Sequence, residues 1–284
     1  MAARVLGFVP LVWASVAIAA PAPGSQQLAQ TISEATQTNE TSQIATTART
    51  KDFSDRGRPA GRSRGGGDRG CVAHNQAKLP PLTALVPSSE QITEAGDSNF
   101  NSPETWEQVL TFTASEHPSF WFYVPYELDS PAPLEFVLQD DAGSTLYQVE
   151  MSSADLERGI VQITLPETAP ALEIDRQYEW FFLAHCDPNQ PPTYVSGWTE
   201  RRQPPTELMT QLTAIDALQD AKLYAQSGLW QDAITVLGEA YRSEPQDVML
   251  KAEWLSFLES EGFSDLIDAR LTNCCVPQPG QVLN

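Results

Sequence analysis

Gln177-Tyr-Glu-Trp-Phe-Phe-Leu-Ala-His-Cys186 alternates two kinds of side chain along an extended stretch. Successive residues of a strand point to opposite faces. Tyr178, Trp180, Phe182, Ala184 and Cys186 therefore share one face, and Gln177, Glu179, Phe181, Leu183 and His185 share the other. The first set reads as a core face and the second as mixed. Similar runs rich in Val, Ile, Phe, Tyr and Trp occur at 82–86, 109–113, 119–124, 134–139, 145–150, 160–165 and 194–199, most of them set apart by Pro, Gly, Asp or Asn. Asp140-Asp-Ala-Gly-Ser144 suits a hairpin turn between two alternating runs. Short strands at this spacing predict an antiparallel sandwich of the immunoglobulin-like kind. Such a fold needs no internal helix, and residues 105–200 offer at most one, at 152–158.

Within Phe120-Trp-Phe-Tyr-Val124, Phe120, Phe122 and Val124 fall on one side, and Trp121 and Tyr123 on the other. One side is core. The other is either covered by a loop or by C-terminal helices, or is an aromatic platform for a sugar or peptide. Trp121 and Tyr123 are thus the candidate sugar contacts. Trp198 fits a packing role beside Gly197.

Beyond residue 204 the hydrophobic period changes from two to 3.6. Leu208, Leu212, Ile215, Leu218 and Leu223 form one stripe, and Thr206 and Glu207 suit its start. Tyr224-Ala-Gln-Ser-Gly-Leu-Trp-Gln-Asp-Ala233, with Ala240 and Pro245 after it, resembles a tetratricopeptide repeat. Gly228 sits where a close helix crossing leaves no room for a side chain, and Pro245 stops the second helix. Gly228 and Gly262 lie 34 residues apart, as do Pro245 and Pro279, which is the period of that repeat. The second copy is degenerate, with Ile267 and Asp268 in place of Ala233 and Ile234. So few helices do not make a free-standing solenoid and are expected to pack on the sandwich. They would either offer a groove to an extended peptide or merely cover a sheet face.

The N-terminus reads as an address. Met-Ala-Ala-Arg4 precedes an apolar run that ends in small residues, with Ala17 and Ala19 at one cleavage site and Ala29 at a second. Residues 1–29 are expected to be a signal peptide, a short membrane anchor being the other reading. No Cys follows for a lipid anchor. No later apolar run reaches the roughly 18 residues a membrane helix needs. The expected location is the periplasm or the outside of the cell. Residues 25–55, rich in Gln, Thr, Ser, Ala and Asn, lack any period and are expected to be disordered. They include the sequon Asn39-Glu-Thr41.

Charge is uneven. The chain has 17 Lys and Arg against 37 Asp and Glu, a net of −20 with pI near 4.4. From residue 80 onward only 8 of these residues are basic and 32 acidic. A nucleic-acid partner is excluded, because neutralising phosphates needs a basic surface. Residues 49–70 reverse the sign. Arg56, Arg58, Arg62, Arg64 and Arg69 are candidates for contact with an anionic envelope polymer or lipid headgroup. The same arm also reads as a solvated linker, or as a segment lying on its own acidic domain.

The Arg/Gly/Pro tract ending in Gly-Gly-Gly-Asp-Arg-Gly-Cys71 is followed by Leu82-Thr-Ala-Leu-Val-Pro87, Pro118-Ser-Phe-Trp-Phe-Tyr-Val-Pro-Tyr126, Glu135-Phe-Val-Leu-Gln-Asp140, Tyr178-Glu-Trp-Phe-Phe182 with Cys186, Gly197-Trp198 and Tyr224 to Ala233. In this order, over about residues 56–270, the chain resembles the cyanobacterial domain-of-unknown-function 928 family. The resemblance implies an exported protein of a photosynthetic bacterium and carries no activity and no catalytic residue. The expected organisation is a signal peptide (1–29), a disordered linker with the basic arm (30–70), a β-sandwich (71–203), a helical repeat-like region (204–272) and a flexible tail (273–284).

Catalytic and metal chemistry find little to rest on. Cys71, Cys186, Cys274 and Cys275 are even in number, which suits pairing in an oxidising compartment. Cys71–Cys186 is the preferred bond. Adjacent Cys274 and Cys275 rarely bond each other. His74, His117, His185 and Cys186 lack metal-ligand spacing. His185 and Cys186 are neighbours on a strand and point to opposite faces, so one cannot readily deprotonate the other. No Gly-x-Ser-x-Gly, phosphate loop or dinucleotide fingerprint occurs. The expectation is a non-enzyme without cofactor or metal that binds a protein or peptide of the envelope, the alternative being a carbohydrate-binding module.

Overall fold

The computed structural model describes residues 60–65, 79–92, 105–125, 133–152, 158–187 and 189–272. Among the described residues, ten strands precede four helices: β1 (Thr83–Ala84), β2 (Ser89–Ile92), β3 (Thr105–Gln108), β4 (Leu110–Thr113), β5 (Ser119–Val124), β6 (Pro133–Asp140), β7 (Thr145–Ser152), β8 (Gly159–Thr164), β9 (Gln177–Ala184), β10 (Thr193–Arg201), α1 (Thr206–Gln211), α2 (Ala217–Gln226), α3 (Trp230–Ser243) and α4 (Val248–Ser260). A 3₁₀ turn at Ser264–Leu266 follows. The protein is α+β, mostly strands with a few C-terminal helices.

The strands form a three-stranded sheet in the order β1-β5-β8, a five-stranded sheet in the order β4-β10-β9-β6-β7, and a small β2-β3 ribbon. The ribbon carries polar Ser-Glu-Gln and Thr-Trp-Glu-Gln stretches that show no strand alternation in the sequence. All pairings between strands are antiparallel except β4 with β10. Phe120, Phe122 and Val124 of β5 meet Phe136 of β6 and Trp180 and Phe182 of β9 in one buried cluster. The Phe122 and Phe182 rings stack with centroids 4.2 Å apart, and Phe120 lies 4.9 Å from Phe136. Alternation therefore sends one face of each large sheet into a shared core, as the 177–186 pattern requires. The β6–β7 turn forms as expected: the Asp140 carboxylate accepts from the Ala142 and Ser144 amides, and Gly143 takes φ +82°.

The single stripe from Leu208 to Leu223 is broken in the structure. α1 ends at Gln211, α2 begins at Ala217, and Ile215 between them is 93% exposed. Side chains compete with the helix for its own backbone here. Thr213 Oγ1 accepts from the Ile215 and Asp216 amides, Asp220 accepts from the Thr213 and Ala214 amides, and Asp216 caps α2 through the Gln219 amide.

The helices bury two separate faces. α1 and α2 set Leu208 and Leu223 against Leu110 and Phe112 of β4. α3 and α4 set Ile234, Leu237 and Trp254 against Trp121 and Tyr123 of β5. Gln231 locks the junction: its side-chain oxygen accepts from the hydroxyls of Thr111 and Thr199, and its amide donates to the Ser119 carbonyl. Among the described residues, no helix is long and apolar enough to cross a membrane.

Candidate binding face

Trp121 and Tyr123, the candidate sugar contacts, lie beneath the C-terminal helices rather than on an open platform. They are 2% and 4% exposed. The Trp121 ring lies 5.9 Å from that of Trp254, its indole nitrogen donates to the Thr235 hydroxyl (3.1 Å), and the Arg242 guanidinium covers it at 5.2 Å. Burial also pushes the Tyr123 phenol up from its ordinary value. The reason is mutual: the apolar faces of α3 and α4 need a surface to bury, and these two aromatics supply it. The same contact gives α3 and α4 the covering role that was the other reading of the helices.

The arm is only partly as expected. Arg56, Arg58, Arg69 and Cys71 lie outside the described residues, as do residues 1–59 and the tail from 273. Residues 60–65, assigned in sequence to the disordered linker, instead lie along the β body. The Arg62 amide donates to the Ser196 carbonyl (2.8 Å) and the Ser196 amide to the Arg62 carbonyl (2.9 Å). The Gly65 amide donates to Leu82, and the Ala84 amide to Ser63. This short strap thereby joins β10 of one large sheet to β1 of the other. The Ser63 hydroxyl bonds Glu107, and Arg64 pairs with Asp265 through two hydrogen bonds of 2.6 and 3.0 Å. The Arg62 guanidinium lies over the Tyr194 ring, 5.1 Å from its centroid. Arg62 and Arg64 thus answer aromatic and acidic groups of their own body, which accords with the reading of the arm as a segment lying on its own acidic domain. The strap orders because its backbone groups find partners on two sheet edges, a long-range match that composition does not reveal.

Cys186 is disulfide-bonded, and its partner lies outside the described residues. His185 Nε2 lies 2.8 Å from Glu135 Oε2, and Gln148 donates to the other Glu135 oxygen at 2.6 Å. His117 Nε2 lies 3.2 Å from the Ala169 carbonyl. Among the described residues, no cluster of three or more His, Cys, Asp or Glu side chains is arranged to hold a metal.

The strand register exposes a different face. Across β10, β9, β6 and β7 one row reads Tyr194, Leu183, Glu135 and Glu150. The next reads Ser196, Phe181, Val137 and Gln148, and a third begins with Trp198, Glu179 and Gln139. With strands about 4.8 Å apart and alternate residues about 6.8 Å apart, this grid measures about 14 Å each way. Phe181 stands at its centre. Phe181, Val137, Leu183, Tyr194 and Trp198 are half-buried, whereas their neighbours one residue along, Phe182, Phe136 and Val195, are fully buried in the core. Desolvation among these apolar groups raises the Glu179 carboxyl above its ordinary value. Among the described residues, none of the helices shares a buried cluster with β6, β7 or β9.

Trp198 stands at the edge of this face, packed against the cluster that Leu208 and Leu223 of α1 and α2 form with Leu110 and Phe112 of β4. Its indole nitrogen donates to the Ala60 carbonyl of the strap at 3.2 Å. Trp180 approaches Gly197 instead. The mixed set Glu179, Phe181 and Leu183 was visible in the 177–186 pattern. Its neighbours on other strands were not, because register across a sheet is not written in any one strand.

No curated protein and no solved structure matches the chain. Residues 64–271 match the family model described as Domain of Unknown Function (DUF928), a span that begins inside the strap and ends just after the 3₁₀ turn. The chain therefore belongs to the DUF928 family.

Proposed function

We propose that the protein is an exported, non-catalytic interaction protein of a cyanobacterial cell envelope, periplasmic or secreted, and that it engages a protein or peptide partner on the outer face of the five-stranded sheet. The carrying observation is the half-buried pair Phe181 and Val137 at the centre of that face, flanked by the half-buried Tyr194, Leu183 and Trp198. The two surfaces expected from sequence to recognise a ligand pack against each other, so recognition falls to the face they leave.

The reading has further support. A disulfide at Cys186 suits an oxidising compartment and removes the thiolate a cysteine nucleophile needs. Cys71 is its proposed partner. A Cβ on Gly65 would lie 3.0 Å from the Thr193 side chain, and Thr193 sits opposite Ala184, two residues before Cys186. Six residues separate Cys71 from Gly65, and a chain of that length reaches at most about 20 Å. Strand order favours an immunoglobulin-like sandwich. β1-β5-β8 and β10-β9-β6-β7 correspond to its two sheets, and Tyr178 at the start of β9 receives the Glu173 amide at 2.8 Å, the arrangement of a tyrosine corner. Gly228 and Gly262 close α2 and α4 with φ of +74° and +83°, which favours the tetratricopeptide-like reading of the helices.

A photoreactive phenylalanine analogue at position 181, expressed in the native host, tests the proposal. Protein adducts from position 181 and none from position 121, in an exported fraction whose N-terminus follows Ala19 or Ala29, are expected. An uncleaved cytoplasmic protein, or equal labelling from both positions, overturns it. Non-reducing peptide mapping tests the disulfide, and a Cys186 bond to Cys274 or Cys275 refutes the Cys71 pairing.

A further inference from the structure

The outer sheet face combines apolar surface with an unbalanced charge. Glu135 of β6 and Glu150 of β7 stand directly opposite each other, and like charges so placed repel. Glu150 is exposed, while Glu135 is held by His185 and Gln148. Glu179 lies one row beyond Phe181 on β9. Of the body's few cations, Arg176 pairs with Asp141, Arg201 with Glu116, Arg202 with Glu200, and Lys222 lies 3.8 Å from Glu253. The cation seen at the rim comes from the strap, where Arg62 covers Tyr194. That contact shows how the face receives a guanidinium: aromatic ring beneath, carboxylates nearby.

We infer that this face docks an extended basic segment of a partner protein, with Arg or Lys side chains directed to Glu135, Glu150 and Glu179 and an apolar residue between them seated on Phe181, Val137 and Leu183. The inference rests on the reading of this face as the recognition surface and specifies its occupant. Charge complementarity selects it. An anionic polymer meets net repulsion here, and a neutral glycan brings no positive charge to offset the opposed carboxylates. A basic segment relieves the Glu135–Glu150 repulsion and leaves its aliphatic stems on the apolar row.

The test uses the full chain and three probes: a peptide alternating Arg with Leu, the same peptide with Glu for Arg, and a neutral β-linked glucose oligomer. Titration calorimetry at low and physiological salt is expected to show binding of the Arg peptide alone, weakening as salt rises. Glu150→Gln combined with Glu179→Gln is expected to weaken it about fivefold to tenfold, and Phe181→Ser about tenfold, with circular dichroism unchanged. Failure of the Arg peptide to bind, binding of the glucose oligomer instead, or equal binding of the Glu peptide overturns the inference. If adducts still form at position 181 in cells, the inference falls alone. If they do not, the reading of the face falls with it.

Discussion

The six-membered ring of Trp121 occupies the space where a side chain on Gly238 would begin: a Cβ there would lie 2.5 Å from Trp121 Cη2. Gly238 is one turn beyond Ile234 in α3, and its bare backbone lets the helix descend onto the outward face of β5. Glycine costs a helix interior about 1 kcal/mol relative to alanine, so this position trades propensity for approach.

Gly238→Ala is therefore expected to destabilise the fold despite its better helix propensity. Forcing a methyl group into a packed junction costs about 1–3 kcal/mol, offset by about 1 kcal/mol of propensity. Urea unfolding checks this. A variant at least as stable as the parent would show that the indole moves aside freely.

Trp121→Ala removes a buried indole and is expected to cost about 3–5 kcal/mol. The variant should denature at distinctly lower urea. A loss below about 1 kcal/mol would place Trp121 at a surface rather than in a core.

The strap and the residues before it should separate on truncation. Deleting 49–59 is expected to leave Tm nearly unchanged, whereas deleting 49–65 removes the bonds to Ser196, Leu82, Ala84 and Glu107 and should lower Tm by more than about 5 °C. Arg64→Ala alone should cost less than about 1 kcal/mol, because the pair with Asp265 is over a third exposed on both sides. Equal Tm for the two deletions would mean that the strap adds nothing to the body.

Asp232 near the start of α3 supplies a pH signature. Burial pushes its carboxyl up to about 6, against hydrogen bonds from Ala114, Thr113 and Ser115 that favour the charged form. Unfolded, the group titrates near its ordinary value of about 3.9. Between these values the native state holds more protons than the unfolded one. Stability from this group is thus greatest at acid pH and declines as pH rises from about 4 to about 6, by up to about 3 kcal/mol. Asp232→Asn should lose this slope while keeping an acceptor for the Ala114 amide. Parallel stability-against-pH curves for parent and variant would refute the shift.

Much of the architecture was legible along the chain. Strand alternation placed Tyr178, Trp180 and Phe182 inside, Asp140 to Ser144 formed the turn, and the C-terminal period produced helices. A stripe alone did not reveal the break at Thr213 to Asp216, because the stripe reports apolar spacing and not the side chains that compete for the backbone.

Local pattern decides what depends on neighbours in the chain: period, turn chemistry, and the split of β5 and β9 into two faces each. It does not decide which of two apolar faces meets water. That choice fell to the fold, which pressed α3 and α4 onto Trp121 and Tyr123, drew residues 60–65 across the edges of β10 and β1, and left Phe181 at the centre of a half-covered sheet. The physical reason is that burial is a property of pairs of surfaces, and the partner of each surface here lies many tens of residues away.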